Sequence, residues 1–151
     1  MKKVFKLFFL ISICVMMIVL SGCDIDGPLR KKMIDYYTND SNYNMYDGKI
    51  IDVDKELCCV KIVCENDDLP NQTYYTIYGN RSIYDRLQSN DEVIFYSSPM
   101  YFYNGQNLPI VYLEKQSEVL LEFEDGKNNL LEDIRITFKE RNIFEWIRDS
   151  F

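Results

Sequence analysis

No histidine occurs among the 151 residues. Its absence removes Ser-His-Asp and Cys-His nucleophile chemistry and most zinc sites. Paired-carboxylate glycosidases, Ser-Lys hydrolases and oxygen-ligated metal sites are the enzyme types left open. Basic residues are also scarce, with 17 Lys and Arg against 24 Asp and Glu. Nucleic-acid binding takes most of its affinity from cations that neutralise phosphates, so nucleic acid is not expected as a partner. The same shortage argues against a polybasic grip on anionic lipid. The charge-free run at residues 7–20 falls short of the roughly 20 apolar residues a transmembrane helix needs. There is no Cys-x-x-Cys motif, no internal repeat and no low-complexity segment.

The first residues carry an address. Lys2, Lys3 and Lys6 precede the apolar run, the layout of a secretory signal that is not part of the fold. Leu20-Ser21-Gly22-Cys23 closes the run and resembles a bacterial lipobox. The resemblance implies diacylglycerol on Cys23, cleavage before it, and further acylation of the palmitate kind at the new amino terminus. Each buried CH₂ of lipid is worth about 0.8 kcal/mol and stable anchoring takes about two chains, which a diacylglyceryl group supplies. Residues 1–22 are thus expected to be a signal peptide. The protein is expected at the cell membrane, lipid-anchored on the extracytoplasmic face, with the bilayer as its first partner. A simple signal-anchor that happens to contain Gly22-Cys23 is the alternative. The signal carries three Lys and no acid, so its removal takes the formal charge from −7 to −10.

Of five cysteines, Cys14 leaves with the signal and Cys23 takes lipid. Cys58 and Cys59 are adjacent, which would strain a bridge. Cys58 and Cys64 lie about 20 Å apart along a strand at roughly 3.3 Å per residue, beyond the ~7 Å limit between bridged Cα atoms. All three are read as small apolar fillers of a strand, unpaired.

Residues 23–44 are read as a lipidated tether with a short helix over 28–37. Pro28 suits its first turn, and Leu29, Met33 and Tyr36 share a face. A domain over 45–151 follows. Strands are predicted at 46–54, 57–64, 73–78, 92–96 and 109–113, with a sixth at 119–123. Gly48 and the phase change at Ile50-Ile51 predict a bend or bulge in the first. Ser82 is expected to cap a short helix over 83–88. Asp125-Gly126-Lys127 reads as a turn into a C-terminal helical region, with Leu130, Ile134 and Phe138 on one stripe and Ile143, Ile147 and Phe151 on a second.

Three strands, a short helix and two more strands is the order of an OB-fold, a five-stranded Greek-key barrel. The expected class is therefore mainly β with short helices: an OB-like barrel plus a C-terminal helix. An open antiparallel α+β sheet is the alternative. Gly48-Lys49-Ile50, Asp91-Glu92-Val93 and Tyr103-Asn104-Gly105 with Leu108-Pro109-Ile110 resemble small OB-like lipoproteins of Gram-positive bacteria. That resemblance brings no activity with it.

OB-folds bind on the face of strands 2–3 and on the loops after strands 1 and 4. The candidate ligand residues are Tyr74 and Tyr78 on the third strand and Tyr101, Tyr103, Asn104, Gln106 and Asn107 in the last loop. Asn104-Gly105 between apolar flanks signals a tight hairpin, with Phe102 inward and Tyr101 and Tyr103 outward by alternation. Exposed tyrosines with nearby amides suit stacking on sugar rings or gripping a peptide. The competing view is that tyrosine simply fills and flanks a β-sheet. Asp52 and Asp54 share a strand face, and Glu65, Asp67 and Asp68 share a loop. Neither set has the spacing of a calcium loop, and no metal or cofactor is expected. A non-enzymatic binding module for an envelope glycan, peptide or protein is the expected function. The alternatives are an accessory subunit of a membrane complex, a lipoprotein excluding phage or toxin, and a carboxylate-dependent hydrolase.

Overall fold

The computed structural model describes residues 27–64, 73–99 and 107–138. Cys23, Tyr101, Phe102, Tyr103, Asn104 and Gln106 lie outside these, as do Glu65, Asp67, Asp68 and the second helical stripe. The chain divides into two units, Met33–Ile134 and a second made of Met1–Lys32 with Arg135–Phe151. In the second, the Arg30 guanidinium donates to the Phe138 carbonyl at 2.7 Å.

Helix α1 is Gly27–Thr38, followed by a single 3₁₀ turn, Asp40–Asn42, before strand β1, Asn44–Asp54. Strands β2 (Cys59–Val63) and β3 (Thr73–Ile77) come next, then a 3₁₀ helix, Arg81–Arg86. Strands β4 (Glu92–Ser97), β5 (Leu108–Lys115) and β6 (Glu118–Leu121) lead into helix α2, Phe123–Thr137. The hydrogen-bonded order is β3-β2-β1-β4-β5-β6, and a further β3–β5 pairing closes the ring. Tyr75, Thr76 and Ile77 run parallel to Leu108, Pro109 and Ile110 there, while the other pairings are antiparallel. The result is a closed five-stranded mixed barrel of OB-like form, with β6 and α2 added. The open antiparallel sheet is excluded, because β3 and β5 are bonded to each other.

One strand makes closure possible. β1 pairs with β4 over Asn44–Lys49 and with β2 over Lys49–Asp54, so it serves both halves of the barrel. A strand that long must bend, and its register shifts between Ile50 and Asp52. The groups freed by the bulge are met by the loop before β4. Ile50 N–H donates to the Asp91 carbonyl at 2.9 Å, and Asn90 N–H to the Ile50 carbonyl at 2.7 Å. The Ser89 hydroxyl takes the Ile51 carbonyl at 2.7 Å. Just upstream, a Cβ on Gly48 would stand 2.5 Å from Ile62 Cγ2, so only glycine lets β1 pass this close.

Alternation then fills the barrel. Ile50, Val60, Ile62, Tyr75, Phe95, Leu108, Ile110 and Leu113 are all at most 1% exposed. Tyr75 meets Phe95 edge to face with centroids 5.1 Å apart, in the range where such pairs add stability beyond area. The Arg81–Arg86 helix brings Ile83, Tyr84 and Leu87 into the same core. Its cap is Asn80, not Ser82: the Asn80 side chain accepts from Ser82 N–H at 3.0 Å. An Asn reaching two residues on tightens the first turn, and the helix is 3₁₀ and starts two residues earlier than expected. The Tyr84 hydroxyl accepts from Ile77 N–H at 2.9 Å and donates to the Cys58 carbonyl at 2.5 Å. It thereby ties β3 to the β1–β2 turn.

A second aromatic cluster lies outside the barrel wall. Tyr37 stands 6.2 Å from Tyr43, Tyr43 5.4 Å from Phe123, Phe123 5.6 Å from Tyr96, and Tyr96 5.0 Å from Tyr112. The buried residues of α1 are Met33 and Tyr37, a pair four apart. Of the expected stripe of Leu29, Met33 and Tyr36, Met33 is buried as expected, Tyr37 takes the place of Tyr36, and Leu29 is exposed. Asp125-Gly126-Lys127 is no turn, since it lies inside the first turns of α2. Gly126 is there because α2 crosses β5 in direct contact, where any Cβ would collide with the Val111 backbone. Phe123 opens this helix and β6 ends at Leu121, two residues before the expected end.

Candidate functional site

The outward side of β1, β2 and β3 carries a row of three different side chains. Asp52 is in register with Lys61, and Lys61 with Tyr74. Their inward neighbours Val60, Ile62 and Tyr75 are core, so alternation fixes this row outward. Tyr74 is 48% exposed. The Lys61 ammonium sits 5.4 Å from its ring centroid, within cation–π range. That contact orders the lysine stem along the sheet, and the ring's other parts stay open to solvent.

Beside this row Asn107 joins β5 to β3. Its amide donates to the Thr76 hydroxyl at 3.2 Å. The same side chain hydrogen-bonds Cys59. Cys59 is buried although it lies on the outward side of β2. Burial pushes its thiol above the usual range, and the charges of Asp54 and Asp52 push the same way, partly opposed by the Asn107 bond. A raised thiol is protonated at neutral pH and a poor nucleophile.

The β1–β2 turn borders the face. Asp54, the last residue of β1, holds the turn: its carboxylate accepts from Leu57 N–H at 2.8 Å. Arg81 clamps the same turn through the Lys55 and Glu56 carbonyls at 3.2 and 3.3 Å. Cys58 takes a positive φ of 50°, and Leu57 stands 75% exposed. Leu57 and Cys58 are thus turn residues, where the expected second strand began at 57. Cys58, Cys59 and Cys64 are all free thiols, and Cys64 is also pushed up by burial.

The sequence-expected residues divide clearly. Tyr74 and Asn107 come together on this face. Tyr78 shares their parity but sits roughly 13 Å along the chain from Tyr74 at about 3.3 Å per residue. Its N–H donates to the Ile110 carbonyl at 2.9 Å, and its carbonyl accepts from Asn129 at 3.1 Å. Of the remaining aromatics, Tyr75 and Phe95 are core, while Tyr96 and Tyr112 belong to the outer cluster. Lys61, Thr76 and Leu57 were not anticipated. Lys61 had a signal, being the one charged residue between Val60 and Ile62. Among the described residues no three acids or thiols converge to hold a metal. Comparison with protein-family models and with curated proteins finds no match for this chain.

Proposed function

We propose that this chain is a membrane-tethered, extracytoplasmic binding module that captures an envelope ligand, a wall glycan or peptide, on the outer face of β1–β3. The tether is the acylated Cys23 implied by its lipobox. The observation that carries the ligand face is Tyr74, half exposed on a rigid strand with Lys61 ordered against its ring. An aromatic presented this way loses little entropy on binding. It offers an apolar surface to a sugar ring or side chain, and Asp52, Thr76 and Asn107 offer hydrogen bonds around it. The chemistry of the face favours holding over converting. Its one thiol, Cys59, is kept protonated, and histidine is absent from the chain.

The test uses the full chain in detergent micelles, titrated with soluble wall-glycan fragments bearing their stem peptides. Tyr74→Ala should weaken capture by about tenfold, equivalent to ~1.4 kcal/mol, with an unchanged melting temperature. Unaltered binding by both Tyr74→Ala and Lys61→Ala would place the ligand elsewhere. The same expression tests the tether: Cys23→Ser should lose lipid labelling and partition into the aqueous phase, and continued detergent partitioning would overturn the anchor.

A further inference from the structure

A different face of the barrel carries unbalanced charge around an apolar floor. Across the outer side of β1, β4 and β5, Asp47 is in register with Ile94, and Ile94 with Glu114. Glu92 stands one outward position along β4, in register with Lys49. Together with the Gln116-Ser117 turn they line an open groove of about 570 Å³. Two exposed apolar side chains flank it, Met45 at 59% and Val119 at 40%. Val119 is in register with Glu114.

Several charges elsewhere form ion pairs. Lys55 pairs with Asp85, Arg86 with Glu118, Lys115 with Asp91, and Lys127 with Asp40 and Glu124. None of the ion pairs among the described residues involves Asp47, Glu92 or Glu114. The Tyr112 hydroxyl donates to Glu114 at 2.8 Å, which fixes that carboxylate in place. It adds no charge, because its hydrogen bond to Glu114 holds its own pKa up at about 12. Among the described residues Lys49 is the one base lining the groove, so three carboxylates there face a single cation.

We infer that this groove docks a cationic segment of a partner protein, one presenting Lys or Arg on either side of an apolar side chain. Charge complementarity selects the partner's sign. Spacing selects a segment over an ion. Asp47 and Glu114 flank β4, so their backbones stand about 10 Å apart at roughly 4.8 Å per strand. Calcium draws its oxygens to within about 2.5 Å of one centre, and Ile94 lies between these two. Long basic side chains span such a gap, and the apolar residue between them covers Ile94. This surface is separate from the Tyr74 face and stands whether or not that face binds.

The experiment uses the full chain in neutral detergent micelles and a fluorescent synthetic pentapeptide, Lys-Leu-Lys-Val-Lys, followed by anisotropy. At about 0.1 M salt, where the Debye length is about 10 Å, the combined Asp47→Asn, Glu92→Gln and Glu114→Gln variant should bind about tenfold more weakly or worse. A control with equal net charge, Asp35→Asn, Glu56→Gln and Asp125→Asn, should change binding less than about twofold, since charges beyond a Debye length are largely screened. Replacing Leu and Val of the peptide by Ser should weaken binding to the unaltered protein, a measurement that needs no variant to fold. Equal losses in the groove and control variants would mean diffuse attraction to an acidic protein and overturn the inference. So would undiminished binding of the Ser peptide, or binding of calcium alone at these acids with no binding of the peptide.

Discussion

Gly126→Ala sets two physical effects against each other, and the structure decides which wins. Gly126 lies in the interior of α2. At an ordinary interior helix position, replacing Gly by Ala gains about 0.8–1.0 kcal/mol of helix propensity. Here the added Cβ would fall far inside van der Waals contact with the Val111 carbonyl oxygen, carbon and Cα. Those atoms belong to β5, which is hydrogen-bonded to β4 and β6 and parallel to β3. They cannot rotate aside as a side-chain tip would. The helix must instead lift off the strand, loosening Leu130, Leu131 and Ile134, all buried. Overpacking of this kind costs about 1–3 kcal/mol, so after the propensity gain the net effect should be a loss of roughly 0–2 kcal/mol. Asn128, exposed on the same helix, is the control. Asn128→Ala should leave stability unchanged or raise it by up to about 0.7 kcal/mol. Urea unfolding of the micelle-bound full chain, followed by circular dichroism, reads both midpoints. If Gly126→Ala raises the midpoint as Asn128→Ala does, the close contact between α2 and β5 is wrong.

The Tyr84 hydroxyl serves the Ile77 N–H and the Cys58 carbonyl together, so Tyr84→Phe strands both. The expected loss is about 1–3 kcal/mol per buried group left unpaired, read as a lower urea midpoint; a change below about 0.5 kcal/mol would mean that water replaces the hydroxyl. Alkaline pH should unfold the protein through its tyrosines. Burial raises Tyr84 to about 12, and burial also raises Tyr37 and Tyr43. A folded pKa above the unfolded value of 10.0 gives stability that is complete below pH 10 and lost as pH rises toward 12. Stability flat up to pH 10 and falling above it, with phenolate absorbance appearing in the same step, is the expected record. Phenolate titrating fully at 10 in the folded chain would contradict the burial.

Much of the barrel could be read from the chain because period-2 patterns survive in short strands. Cys59-Val60-Lys61-Ile62-Val63 and Glu92-Val93-Ile94-Phe95-Tyr96 state their own faces, and glycine inside the first strand marked the bend. The misread positions share a physical cause: the residue was chosen by a distant partner. Gly126 looked like a turn because glycine is poor in helices; it is placed by Val111, fifteen positions earlier in the sequence. Leu57 looked like strand because it is apolar, yet Asp54 and Arg81 hold it in a turn. Ser82 looked like a cap because hydroxyls cap helices, but the helix starts before it, and Asn80 is the cap that accepts from Ser82's own N–H.

The site was legible in a narrower sense. Tyrosine content signals β-structure and binding surface alike, so the sequence could point to the strands but could not divide their aromatics. The division follows from closure. Once β3 and β5 pair in parallel, Tyr75 is committed to the interior against Phe95, and Tyr74 is left outside. Once α2 covers the far wall, Tyr96 and Tyr112 meet Phe123's cluster and leave the outer surface less open there. Lys61 completes the argument. A lone charge in a strand of Cys, Val and Ile has to face water, and the register then puts it between Asp52 and Tyr74. An ordered cation against an exposed ring serves no core, because both side chains stand outside it. Their juxtaposition is the part of the sheet that packing alone does not require, and for that reason the proposed ligand face is drawn there.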